Sequence, residues 1–161
     1  MSNDTGSRQD LDAMVTKVFP MLLAACVLLM PGEVRATELI TKDEAKLPPP
    51  KGAVAMNRRG IFRAPKVEFI SPVEEARSPL RLRLKFQSFG GAKIDPESAK
   101  MMFLRKENVD LTLRVKSFVQ PTGIDMPDAE TPPGEFAIRV DVGDSAGRVG
   151  TTSFVLKVLP Q

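Results

Sequence analysis

The sequence predicts an all-β fold, an antiparallel β-sandwich of about seven short strands. Three observations support this prediction. Alternating apolar and polar residues recur in short segments from Pro65 onwards. The 161 residues include 14 Pro and 11 Gly, which suit turns between short strands better than long helices. The length allows one domain plus processing or linker segments, and 42% hydrophobic residues are ordinary for a globular chain.

Residues 1–36 predict a signal peptide with an N-terminal extension. Lys17 precedes an apolar run from Val18 to Met30, which is too short to span a bilayer and typical of the hydrophobic core of a signal peptide. Val34-Arg35-Ala36 then provides short side chains at the positions that signal peptidase accommodates, so we predict cleavage after Ala36. The segment before Met14 is long and lacks Lys, which makes Met14 an alternative start.

Leu23-Ala24-Ala25-Cys26 supports an alternative, because it resembles the lipobox in which the Cys is lipidated. Against it, Val27 to Met30 stay apolar where lipoproteins usually turn polar. Simple cleavage is the favoured interpretation and predicts a periplasmic or secreted protein. A lipoprotein anchored at Cys26, or an uncleaved anchor, would place the chain at a membrane.

Residues 37–64 predict a Pro-rich, largely irregular tether. Thr37 to Gly52 carries mixed charges and the run Pro48-Pro49-Pro50, which favours an extended spacer. Val54 to Phe62 is a candidate edge strand, although Asn57 to Gly60 is turn-like.

Residues 65–161 predict the sandwich domain, beginning with two alternating strands. Val67 and Phe69 share one face of the first strand, which ends at Ser71-Pro72. The second strand is the clearest in the chain. Its apolar face holds Leu80, Leu82, Leu84 and Phe86, and its polar face holds Arg81, Arg83 and Lys85.

The middle of the domain predicts a turn, two further strands and a long connection. Asp95 to Ser98 is typical of a turn, and Met101 to Leu104 of a strand packed on both faces. Val109 to Val115 alternates as a strand would, and Gly123 to Gly134 is a Pro- and Asp-rich connection.

The last 28 residues predict a β-hairpin. Its two apolar faces are Phe136, Ile138, Val140 and Val142, and then Phe154, Leu156 and Val158. Asp144-Ser145-Ala146-Gly147 lies between them, with Asp starting a type I turn and Gly147 supplying the positive φ of a following bulge.

Several of these segments resemble bacterial immunoglobulin-like domains. They are Ile94 to Ser98, Met101 to Leu104, Asn108 to Thr112, Pro133 to Val140 and Asp144 to Arg148, and the resemblance covers Pro65 to Leu159. It implies an immunoglobulin-like sandwich used as a spacer, adhesion unit or accessory to a catalytic domain. The chain differs from antibody-type domains because it has no Cys pair, no Trp and no Tyr.

The residues that are absent exclude several classes of chemistry. The chain has no His, so Ser-His-Asp and Cys-His catalysis and His-ligated metals are excluded. The single Cys, Cys26, lies in the apolar segment, and no pair of carboxylates forms a recognisable acid–base motif. We therefore expect a non-enzyme with no cofactor, no metal and no catalytic residues. A net charge of +3 without Trp or Tyr also makes nucleic acid an unexpected partner.

Two groups of charged residues are candidate ligand sites. Arg81, Arg83 and Lys85, joined by Arg139 and Lys157, would form a face for an anionic cell-envelope polymer, although charged outer faces are usually only solvated. Four aspartates would bind calcium if they met at one end, although their spacing matches no calcium loop: Asp125, Asp128, Asp141 and Asp144.

The sequence thus predicts an exported, non-catalytic module that binds or positions an envelope protein or an anionic polymer. The alternatives are an accessory subunit or domain of an envelope enzyme, or a lipoprotein anchored through Cys26.

Overall fold

A computed structural model describes residues 36–50, 63–72 and 74–161. The predicted signal peptide up to residue 35, with Cys26, and the candidate edge strand Val54 to Phe62 lie outside these residues. The described part forms two sheets packed face to face, which confirms the predicted immunoglobulin-like β-sandwich. None of its helices is long and apolar enough to cross a bilayer.

The elements follow one another from Thr37 to Leu159. In chain order they are β1 (Thr37–Glu38), α1 (Lys42–Ala45), β2 (Lys66–Ser71), β3 (Ala76–Arg77), β4 (Leu80–Gln87), β5 (Ile94–Phe103), β6 (Val109–Asp110), α2 (Thr112–Val115), a 3₁₀ turn (Lys116–Phe118), β7 (Val119–Gln120), β8 (Gly123–Glu130), β9 (Gly134–Asp144) and β10 (Val149–Leu159).

The first sheet has the order β1-β8-β4-β2, with β7 also paired to β8, and the second has the order β3-β10-β9-β5-β6. The pairs β1–β8 and β3–β10 are parallel, and the other pairs are antiparallel. The chain crosses between the two sheets after β2, β3, β4, β6 and β8.

The core lies between the sheets and is built from the predicted alternation. In β4 the four apolar residues are buried and the intervening residues are exposed. The inward residues of β9 and β10 are buried as well, which confirms the predicted hairpin. Phe69 of β2 stacks on Phe154 of β10 with ring centroids 4.2 Å apart, joining the two sheets.

The predicted turn at Asp95 to Ser98 lies inside β5, where strand pairing with β9 is irregular between Asp95 and Lys100. Its turn-like hydrogen bonds are present: Glu97 N donates to Asp95 Oδ1 at 3.1 Å, and Ser98 Oγ donates to Asp95 O at 2.6 Å. Beyond this irregularity Met101 faces the core and Met102 is half-buried on the outer face.

Two predicted segments have a different structure. Val109 to Val115 is not one strand, because β6 ends at Asp110 and α2 follows. Leu111 and Val115 are buried while Leu113 is 85% exposed, which is helical spacing. Gly123 to Gly134 is not a connection, since β8 occupies most of it at the centre of the first sheet.

The tether prediction is also wrong for the start of the domain. β1 pairs with β8, and Leu39 and Ile40 are completely buried in the core. α1 follows with a capping box in which Thr41 Oγ1 accepts from Glu44 N at 3.2 Å and Glu44 Oε2 accepts from Thr41 N at 2.9 Å. The sandwich therefore begins at Thr37 rather than at Pro65.

Candidate functional site

The three predicted cations lie on the outer side of the first sheet, but two of them, Arg81 and Arg83, are paired with the carboxylate of Asp125. Arg81 donates Nε and Nη2 to the two oxygens of Asp125 at 2.8 and 2.7 Å. Arg83 Nε lies 3.7 Å from the same carboxylate. The hydrogen bonds from Arg81 hold the pKa of Asp125 below its ordinary value, against a smaller opposing effect of desolvation.

Lys85 is the remaining cation of this face. It lies opposite Glu68 of β2 and Gly123 of β8. A Cβ on Gly123, whose φ is +150°, would collide with the Leu84 carbonyl oxygen, so this position next to Lys85 requires glycine. Within the part of the chain that the structure describes, no carboxylate reaches Lys85 within 4.0 Å.

Arg139 and Lys157 do not join this face. Both lie in the second sheet, where Arg139 Nε contacts Asp141 at 3.2 Å and Lys157 Nζ contacts Glu135 at 3.2 Å. The predicted extension of the cationic stripe to these two residues is therefore wrong.

The four aspartates considered for calcium are not brought together. Asp125 is in the first sheet against Arg81, whereas Asp141 and Asp144 are in the second sheet with other partners. Among residues 36–50, 63–72 and 74–161, no group of three or more side chains that could hold a metal ion occurs.

A different surface lies at one end of the sandwich, and we call it the hairpin end. It consists of the β4–β5 loop, Ser88 to Lys93, and the β9–β10 turn, Asp144 to Val149. Ser145 N donates to Lys93 O at 2.8 Å, and Lys93 N donates to Ser145 Oγ at 3.0 Å. These two bonds join the loop that connects the two sheets to the hairpin of the second sheet.

Asp144 and Arg148 fix the shape of the hairpin end. Asp144 is 6% exposed, and its Oδ1 accepts from the backbone N–H groups of Ala146 and Arg148 at 2.9 and 3.1 Å. Its Oδ2 accepts from Arg148 Nε at 2.8 Å, and Arg148 Nη2 also donates to the Phe89 carbonyl at 2.9 Å. Desolvation raises the pKa of Asp144, and these hydrogen bonds outweigh it, so the pKa lies below its ordinary value.

Exposed apolar side chains are found at the hairpin end. Of the three large hydrophobic residues that are exposed in the described part, Phe89 (38%) and Val149 (61%) belong to the hairpin end. The third, Leu113, lies on α2. Scattered single apolar residues are normal on a surface, but two on one rigid end form a candidate contact site.

A shallow groove of about 380 Å³ lies at the opposite end of the sandwich, and we call this the groove end. The lining residues are Glu75, Pro133, Gly134, Glu135, Lys157, Val158, Leu159 and Pro160, and Glu135 and Lys157 among them form an ion pair at 3.2 Å.

Neither end carries a sequence motif from which we predicted a site. Asp144 to Gly147 was predicted only as the turn of the hairpin. The signal for the hairpin end was Phe89, an apolar residue placed directly before two turn glycines, where it has no core to enter.

Comparison with known proteins gives little further constraint. No family model and no curated protein matches this chain. Among solved structures, CopC from Methylosinus trichosporium OB3b is similar at 17% identity and a TM-score of 0.40, covering 60% of this chain and 96% of CopC. A double mutant of the Cellulomonas fimi endo-β-1,4-mannanase is similar at 19% identity and a TM-score of 0.32, covering 58% of this chain and 18% of that enzyme. At these scores neither similarity bears on function.

Proposed function

We propose that this chain is an exported, non-catalytic immunoglobulin-like module that binds or positions a protein partner in the cell envelope through its hairpin end. The observation that carries the proposal is the exposure of Phe89 and Val149 at the hairpin end, where Arg148 donates hydrogen bonds to Asp144 and to the Phe89 carbonyl. A surface held rigid before contact loses less conformational entropy on binding than a mobile loop does.

The non-catalytic part of the proposal is supported by composition. The chain has no His, and its single Cys lies in the predicted signal segment rather than in the sandwich. The best-fixed carboxylates, Asp144 and Glu44, are both engaged by arginines at 2.7 Å and have lowered pKa values, so neither is suited to accept a proton near neutral pH.

Export is tested by the intact mass of the protein expressed at full length in a bacterial host. A soluble envelope species that begins at Thr37 supports the predicted cleavage and a periplasmic or secreted module. A membrane species whose mass fits a diacylated Cys26 would replace it with a lipoprotein, and an unprocessed cytoplasmic species would contradict export.

The contact surface is tested by a photo-crosslinking amino acid placed at Val149 and, as a matched control, at Leu113. Both side chains are apolar and exposed, but only Val149 belongs to the hairpin end. We expect a discrete crosslinked product from Val149 and none from Leu113. Equal crosslinking from both positions, or none from either, would contradict the proposed surface.

A further inference from the structure

The peptide bond at which we predict cleavage lies at the edge of the folded domain. It joins Ala36 to Thr37, and Thr37 is the first residue of β1, where it pairs with Ala129 of β8. Both Ala36 and Thr37 are half-buried. A protease binds its substrate as an extended, unpaired segment, so a bond in this position is cut from a locally opened chain rather than from the folded one.

The residues that follow the bond are anchored in the core. Leu39 is completely buried, and its neighbour Ile40 is buried as well. Leu39 N donates to Glu130 O at 2.8 Å, and the Leu39 carbonyl accepts from Arg114 Nη1 at 2.8 Å. A single residue separates Thr37 from this anchor, so a protease that takes up Thr37 and the residues after it must draw Leu39 out of the core.

Glu44 holds the other end of the same segment. Its carboxylate accepts two hydrogen bonds of 2.7 Å from Arg114, the same arginine that binds the Leu39 carbonyl. The Glu44 side chain is 18% exposed, and the capping box connects it to Thr41. These contacts exist only while the segment is docked, so weakening them raises the population of the detached segment.

We propose that the docked segment, Thr37 to Lys46, shields the Ala36–Thr37 bond, so that signal peptidase cuts the chain before this segment docks or while it is transiently detached. Hydrolysis consumes one water and leaves a carboxylate on Ala36 and an ammonium group on Thr37. A chain that folds before it is cut keeps the apolar run Val18 to Met30 and with it an attachment to the membrane. The order of cleavage and folding thus decides between a released and a retained form. The inference rests on the predicted cleavage after Ala36, which is part of the proposed function.

The test is the rate at which purified signal peptidase cuts the full-length precursor, folded in detergent, with the product identified by an intact mass that begins at Thr37. Leu39→Asp provides the open reference, because a carboxylate does not fit the buried, apolar position of Leu39. The bond is accessible whether this substitution detaches the segment or unfolds the domain. We expect the parent to be cut at least about tenfold more slowly than Leu39→Asp.

Glu44→Gln and Asp43→Asn form a matched pair that leaves the cleavage site unchanged. Each replaces one carboxylate of α1 by an amide, but Asp43 is 93% exposed and pairs with Lys46, whereas Glu44 holds the segment to Arg114. Glu44→Gln should speed the cutting of the folded precursor about 5–30-fold, because the rate follows the population of the detached segment. Asp43→Asn should leave the rate unchanged, and Glu44→Gln should have no further effect when it is combined with Leu39→Asp.

Equal rates for the parent and Leu39→Asp, or equal rates for Glu44→Gln and Asp43→Asn, would overturn the shielding and leave the proposed function standing. No product beginning at Thr37 from any variant, Leu39→Asp included, would overturn the cleavage site itself. That result would remove both this inference and the cleaved, exported form in the proposed function.

Discussion

The Glu44 side chain stabilises two parts of the fold, the start of α1 and the contact of α1 with α2. Its carboxylate completes the capping box of α1 and accepts two hydrogen bonds from the Arg114 guanidinium, both 2.7 Å long. Arg114 Nη1 also donates to the Leu39 carbonyl at 2.8 Å. This network attaches the segment that begins at Thr37 to α2. The hydrogen bonds from Arg114 are the main reason that the pKa of Glu44 falls from 4.5 to about 2.

The lowered pKa predicts a pH-dependent loss of stability. Because the folded-state pKa lies below the ordinary value, the stabilisation by Glu44 is complete above about pH 4.5 and is lost as the pH falls towards 2. Glu44→Gln should lower the free energy of unfolding by about 1–2 kcal/mol near pH 7. Urea denaturation at neutral and acidic pH should show the gap between variant and parent closing.

Asp43→Asn is the matched control, because Asp43 pairs with Lys46 at 3.0 Å but its side chain is 93% exposed. It should change stability little at any pH. A gap between Glu44→Gln and the parent that stays the same at acidic pH would contradict the assigned role of Glu44.

Asp125 controls whether the cationic face of the first sheet can bind anions. Replacing it with Asn removes the bidentate partner of Arg81 and raises the local charge by one. We expect Asp125→Asn to bind inorganic polyphosphate several-fold more tightly than the parent in a filter or titration assay, and the gain to vanish in Asp125→Asn/Arg81→Ala. Equal affinity of parent and Asp125→Asn would indicate that the face is only solvated.

At the scale of elements, the sequence was informative where alternation and burial coincide. β4, β9 and β10 were predicted because their apolar residues all face one core. β8 was missed because Pro127 interrupts its alternation. The pairing with β4 shifts register between Leu80 and Leu82, opposite this proline, and an irregularity of this kind tolerates a residue that cannot donate a hydrogen bond.

The segment from Val109 to Val115 was misassigned because all four of its apolar residues fit the period of a strand, and two of them also fit the period of a helix. Leu111 and Val115 are four residues apart, so they share a helical face as well as a strand face. The discriminating residue was Asp110, whose Oδ1 accepts from Thr112 N at 2.8 Å where the strand ends. The hydrogen bonds to Thr112 lower the pKa of Asp110. An Asp with this local bond favours the start of a turn or helix over a continuing strand.

Because α2 replaces the predicted strand, substitutions at Leu111 and Leu113 should lower the free energy of unfolding by different amounts. Leu113→Lys should change the free energy of unfolding by less than about 0.5 kcal/mol, because the side chain is exposed. Leu111→Ala should lower it by about 2–4 kcal/mol, because the side chain is completely buried. Chemical denaturation of both variants tests this prediction, and a large cost for Leu113→Lys would restore the strand interpretation.

At the scale of the whole molecule, the features that the sequence did not predict depend on contacts between distant residues. Leu39 N donates to Glu130 O at 2.8 Å, and Arg148 donates to Phe89 across 59 residues. Neither contact leaves a local pattern, so the packed start of the domain and the hairpin end required the folded chain. The fold class was accessible because it depends on strand patterns that repeat locally.

The packed start of the domain predicts that stability depends on residues before Pro65. Leu39→Ala should lower the free energy of unfolding by about 2–4 kcal/mol, because it removes a fully buried side chain from the core. The exposed neighbour Lys42→Ala is the control and should cost less than about 0.5 kcal/mol. Urea denaturation of the exported protein measures both, and equal stabilities would contradict the packing of this segment.

The pairing of β1 with β8 also limits how far the sandwich can stand from a membrane. If Cys26 carries lipid, residues 27–36 are the whole linker, and ten residues extend at most about 35 Å. A linker that continued to residue 64 would extend about 130 Å. A lipidated form would therefore keep the sandwich within about 35 Å of the membrane surface, so its partners would have to lie close to that surface. The cleaved form would diffuse without this restriction.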